Sequence, residues 1–243
     1  MFVKKNIKSE WIVIDGCKSG WIIGYFENKT IIFSYVNCLS QLDFDFIKTV
    51  YIDMPVDLPQ NINDYPRPSD LLAKKKLQAF HASIFYAPVC HWLDQPLSTI
   101  NTQCSQFKKP KLSVQSYNLF AKCKQVQNLS MLSKNKLFEI HPELLVHYFF
   151  KEKKLSKRTK QGQLQRLNFI RSLNPFYMPH PIEDVYLQLK NVYPSIRCGI
   201  DDIVDVLFVA SLIDYKNLFS YSQKHDKVES DELKYRFSIF KHR

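Results

Sequence analysis

The stretch "WIVIDGCKSGWIIGYF", residues 11–26, decides the fold. It is a run of β-formers, and "TIIFSYV" at 30–36 continues it after the turn-like "ENKT". Segments at 10–15, 20–26 and 30–36 therefore predict an antiparallel meander with a tight turn between the last two. One bare acid, Asp15, sits at the centre of the opening stretch, where the pattern wants another Ile or Val. The two-residue period of a strand puts Trp11, Val13 and Asp15 on one face and Ile12 and Ile14 on the other. Asp15 thus falls at the C-terminal end of a strand, where α/β folds place their binding crevice.

Outward from this stretch, "CLSQLDFDFI" predicts a short helix capped by Ser40, and "KTVYID" a fourth strand ending at Asp53. Met54-Pro55 stops that strand, and the Pro-rich "PVDLPQNINDYPRPS" leads into helical segments near 69–80, 88–95 and 113–127. "KLFEI" at 136–140 reads as a fifth strand, followed by a corner at His141-Pro142-Glu143 with proline in the first helical position. Helices near 160–172 and 182–190 come next, then the strongly apolar "DIVDVLFVASLIDY" at 202–215. The order of strands and helices is that of an α/β domain around a mixed sheet, with a helical insertion, over residues 1–243.

With 45% hydrophobic residues the chain has material for a substantial core. It has no run near the ~20 apolar residues that span a bilayer. No apolar segment follows the lysines of "MFVKKNIKSEW", so a cytoplasmic protein with no membrane partner is expected. The six cysteines are scattered without a C-x-x-C pair, which signals neither a disulfide framework nor a zinc site. A formal charge of +11 favours polyanionic partners, nucleic acid above all.

The acids carry the functional argument. Asp53 repeats the position of Asp15 at the end of another apolar strand, and Glu139 shares one face of "FEIHP" with His141. Asp202 and Asp205 project from one side of a helix start, with Asp201 as the expected N-cap. Taken singly, Asp15 and Asp53 can be turn formers, Glu139 an exposed strand residue, and Asp202 and Asp205 favourable charges at a helix N-terminus. Taken together, converging carboxylates would repel one another without a cation, and such a set is what hard divalent metals require. Two such ions about 4 Å apart can drive phosphodiester hydrolysis, which reads Asp15 as a metal ligand.

The segments "VIDGCKSGW", "YIDMPVDLP", "RPSDLLAKKKL", "ASIFYAP", "LSVQSYNLFAK", "FEIHPELL", "SKRTKQGQLQRL" and "DDIVDVLFVA" occur in the order and spacing of one family. The chain resembles the domain-of-unknown-function 429 family of predicted RNase H-like nucleases, over about residues 10–215. The resemblance implies an RNase H-like fold, a five-stranded mixed sheet with acids at the ends of its first and fourth strands and on a late helix. By similarity to Holliday-junction resolvases, it implies Asp15, Asp53, Asp202 and Asp205 as ligands of Mg2+ or Mn2+. Glu139 and His141 belong to the family's own motif, as a further ligand or proton carrier, or with His141 simply hydrogen-bonded in the corner. Lys18, Arg67, Lys157 and Arg166 are its candidate substrate-binding residues. Ser19 and Asp57 depart from the family's glycines and Lys74 from its arginine.

The expected activity is metal-dependent hydrolysis of phosphodiester bonds in DNA or RNA. One alternative is a non-catalytic RNase H-like module binding nucleic acid or protein. The other is an ATP-dependent phosphotransferase, against which the five glycines without a G-x-G pattern argue. Residues 216–243 form an extension whose "KYRFSIF" is read as an edge strand or an interaction segment.

Overall fold

The β-formers of the N-terminal stretch build the sheet that the period predicts. A computed structural model of the chain describes residues 5–28, 30–77, 83–133, 137–150, 157, 159–173, 177 and 180–214. The extension at 216–243, "KYRFSIF" included, lies outside the described residues. The described strands are β1 (Lys5–Asn6), β2 (Trp11–Cys17), β3 (Gly20–Glu27), β4 (Thr30–Val36), β5 (Leu42–Asp43), β6 (Thr49–Ile52) and β7 (Leu137–Glu139). Five of them form one mixed sheet in the order β4-β3-β2-β6-β7. β2, β3 and β4 are the expected antiparallel meander, whereas β6 and β7 run parallel to β2. Asn28 supplies the left-handed backbone (φ 49°) that the turn into β4 needs.

Chain contacts divide the protein into two compact units, Met1–Asp53 with Ser133–Arg243, and Met54–Leu132. The first unit carries the sheet and the helices α5 (Pro142–Phe150), α6 (Lys160–Leu173), α7 (Ile182–Val192) and α8 (Ile200–Asp214). The second holds α1 (Pro68–Leu77), α2 (Leu97–Gln106), α3 (Val114–Tyr117) and most of α4 (Phe120–Ser133). Tyr65, Trp92, Ile100, Cys104 and Val126 are fully buried in this second unit, with the Tyr65 and Trp92 rings edge to face at 4.8 Å.

Two local expectations need correction. "CLSQLDFDFI" forms a single 3-10 turn at Leu39–Gln41, and Leu42–Asp43 then pairs with β1. Gln41, not Ser40, completes that turn: its side-chain oxygen accepts from the Asn37 and Cys38 amides at 2.9 and 3.2 Å. α2 was not expected at all. Its sequence, "LSTINTQCSQ", is polar and its buried stripe consists only of Ile100 and Cys104, too little to give a helical period in sequence.

α8 organises the first unit. From Ile203 to Leu212 no residue is more than 2% exposed, so this helix is buried all round rather than amphipathic. It lies on the face of the sheet that carries Val13, Cys17, Ile22 and Ile31. Each fully buried Ile, Leu, Val or Phe there contributes roughly 1.5–3 kcal/mol. Gly24 makes the approach possible, because a Cβ on it would stand 2.5 Å from Val206 Cγ1. Ile12, Ile14, Val50 and Ile52 on the other face are buried as well, which accounts for the nearly unbroken apolar reading of these strands.

Candidate metal centre

Strand register brings the first two acids together. β2 and β6 pair Ile14 with Ile52, and the Asp53 amide donates to the Ile14 carbonyl at 3.0 Å, so Asp15 and Asp53 occupy the next rung of adjacent parallel strands. Side chains at one rung of a parallel pair point to the same face, here the one that α8 covers. Asp15 is 7% exposed. Burial first, then the neighbouring charges of Asp53 and Asp205, push its carboxyl well above the ordinary carboxylate range; Lys157 pulls the other way and Asp202 adds to the rise. Among the described residues no hydrogen bond to the Asp15 carboxylate offsets this cost.

The helix start supplies the other two acids. α8 begins at Ile200, with Asp201 inside the first turn rather than capping it. Asp202 instead reaches back to accept from the Gly199 amide at 2.9 Å, which is one half of a capping box. Asp205, one turn further, is fully buried. One of its oxygens accepts from Arg166 Nη1 at 2.7 Å, and the other is ion-paired with the Lys157 ammonium. Burial raises the Asp205 carboxyl to about 6 despite the opposing pull of Lys157 and Arg166.

Arg166 was expected to hold a substrate phosphate, and its surroundings give it other work. Its side chain is wholly buried, and Nη2 donates to both oxygens of Glu143 at 3.1 and 3.0 Å. A guanidinium between Asp205 and Glu143 pins α6, α5 and α8 to one another. Glu143 was not among the expected site residues.

His141 stands at the tip of β7. Glu139 lies beside Ile52 in the register and is 1% exposed, a buried carboxylate rather than an exposed strand residue. His141 touches both of its acidic neighbours, Nδ1 3.3 Å from Asp53 and Nε2 3.5 Å from Glu139. Burial disfavours its charge, but hydrogen bonds to Asp53 and Glu139 prevail and carry the imidazole up to about 10. Its ring thereby bridges Asp53 and Glu139.

The remaining candidates divide by exposure. Lys18 is exposed in the turn between β2 and β3, three residues from Asp15. Its amide donates to the Arg197 carbonyl at 3.0 Å, and the Arg197 amide donates to Ser19 Oγ at 2.7 Å, so a second exposed cation that sequence reading missed stands beside Lys18, and the two form an exposed basic rim at the β2–β3 turn. Arg67 belongs to the second unit, where it forks onto Asp70 at 2.6 Å and donates to the Asp57 carbonyl at 2.7 Å.

Asp15, Asp53, Asp202 and Asp205 thus share one electrostatic neighbourhood in the first unit. Among the described residues, no three Asp, Glu, His or Cys side chains already stand close enough to ligate one ion. Positive charge enters that neighbourhood with the Lys157 ammonium, which feels Asp205, Asp15 and Asp53, beside the Arg166 guanidinium on Asp205. Among the described residues, no helix is long and apolar enough to cross a membrane.

No curated protein and no solved structure matches the chain. The model of one family, described as "Protein of unknown function (DUF429)", matches residues 14–212, from within β2 to within α8, and the chain belongs to that family.

Proposed function

We propose that the protein is a divalent-metal-dependent RNase H-like nuclease that hydrolyses phosphodiester bonds in nucleic acid. Asp15, Asp53, Asp202 and Asp205 would hold Mg2+ or Mn2+. The support is one juxtaposition: two carboxylates at the same rung of β2 and β6, and two more delivered by the start of α8 into the same field. The donors fit such ions, being hard oxygens that repel one another and already draw in a cation, Lys157.

Bound there, the ions would supply Lewis-acid activation of water and charge stabilisation at the leaving oxygen. The chain's own residues prepare the rest. Arg166 fixes the rotamer of Asp205, and His141 that of Asp53. Lys18 and Arg197 present exposed charge at the rim, where a phosphate backbone would be met, in keeping with the +11 of the whole chain. The six cysteines are all free thiols, which suits the reducing cytoplasm as the place of work.

A second reading, a binding module without catalysis, draws on the pairing of both Asp205 oxygens with protein cations. One experiment separates the two. Mn2+ is titrated calorimetrically into the parent and into Asp15→Asn/Asp202→Asn, and both are then incubated with labelled single-stranded, duplex and branched substrates. Binding and cleavage confined to the parent are the expected result. Nucleic-acid binding without Mn2+ binding or cleavage would leave the second reading standing.

A further inference from the structure

Asp205 receives two cations from one short stretch of chain, and they are not alike. Arg166 is fully buried and tied to Glu143 as well, so it is a fixture of the fold. The Lys157 side chain is 28% exposed and meets the other Asp205 oxygen from the more open side. Its backbone is anchored: Gln163 Nε2 donates to the Lys157 carbonyl at 2.7 Å, and Thr159 Oγ1 caps α6 by accepting from the Gly162 amide at 3.1 Å. A lysine head group on its flexible stem can therefore leave Asp205 while α6 stays in place.

We propose, resting on the metal-dependent reading above, that the Lys157 ammonium is a resident counter-cation of the carboxylate centre, displaced when a divalent ion binds and then free to pair with a substrate phosphate. The charges around it argue for this. The ammonium stands in an ion pair with Asp205, itself fully buried, and Asp15 and Asp53 add their negative charge to the field around it. A divalent ion entering among the same carboxylates would repel that ammonium at close range, and of the two cations on Asp205 only Lys157 has an outward path. Lys157 thereby sets the metal affinity, weakening it by competition, and links occupancy of the centre to the presentation of a phosphate-binding charge.

The test uses Mn2+ alone as the probe. Calorimetric titration compares the parent with Lys157→Met and with Lys157→Arg, which keeps the charge. Removing the competing cation is expected to tighten Mn2+ binding by about tenfold or more, with Lys157→Arg remaining near the parent. Equal or weaker binding in Lys157→Met would overturn the inference while leaving the metal site intact. Silence in all three proteins would instead remove the metal reading, and this inference with it. Amine acetylation of the unmutated protein, followed by mass spectrometry, gives a readout that needs no variant to fold. Lys157 should be acetylated slowly without metal and faster as Mn2+ saturates the site, and a rate indifferent to bound Mn2+ would also overturn the proposal.

Discussion

The two units each bury an aspartate, and the two are treated in opposite ways. Asp70 in the second unit is 1% exposed and fully served: Arg67 donates from Nε and Nη2, and the Ala87 amide donates at 2.9 Å. Asp15 in the first unit is nearly as buried, yet it faces Asp53, Asp205 and Asp202. Asp70 is the ion pair of a structural joint, with its desolvation offset by a forked guanidinium. Asp15 is a carboxylate held where its charge is disfavoured, and the proposed metal centre rests on that arrangement. Burial of an acid is thus uninformative until its partners are counted.

The largest effect comes from making a joint resemble the centre. Arg166→Met strands Asp205 and Glu143 without their shared guanidinium, and a loss of about 3–5 kcal/mol is expected. Thermal unfolding would show it as a fall in Tm of roughly 10 °C. A change within a degree or two would mean that Arg166 is not the joint between α6, α5 and α8. Asp70→Asn comes next. It leaves Arg67 facing a neutral amide, and a loss of about 2–3 kcal/mol is expected in the same assay.

Asp15→Asn should go the other way. Removing one charge from a repelling set is expected to raise the stability of the metal-free protein by about 1 kcal/mol, even though the variant loses the proposed activity. A fall comparable to that of Asp70→Asn would erase the distinction between the two aspartates. The sign of the change, more than its size, is the measurement that matters here.

Asp15 and Asp53 could be read in the sequence because each interrupts an apolar strand at its end, a conflict between local pattern and residue type. Asp202 and Asp205 were legible from their spacing at the start of an apolar helix. The supports were not. Arg166 sits in the polar string "KQGQLQRLNFIRSL" and reads as a substrate-binding cation, yet Gly162, Arg166 and Ile170 recur every fourth residue within the buried stripe of α6. That stripe was a usable signal, because an arginine on the apolar side of a helix calls for a buried acid. Glu143 gave less warning, since an acid in the first turn of a helix is expected for its dipole alone. Arg197 joined the rim through a backbone pairing between segments far apart in the chain, and no local period reports that.

The smallest expected effect concerns that rim. The Ser19 hydroxyl accepts from the Arg197 amide at 2.7 Å and from Tyr35 at 2.9 Å. Ser19→Gly removes this acceptor while the Lys18 amide keeps its bond to the Arg197 carbonyl at 3.0 Å. A cost of about 0.5–1.5 kcal/mol in Tm-based stability follows, the net worth of one such bond. Mn2+ affinity should remain unchanged, because none of the proposed ligands is altered, whereas affinity for a single-stranded oligonucleotide should fall by a few-fold as Arg197 loses one of its two backbone anchors. A matching loss of Mn2+ affinity would show that the rim and the carboxylates form one device and would blur the line between joint and centre. An effect on the oligonucleotide alone would confine Ser19 to the presentation of positive charge, with the proposed metal ligands acting independently.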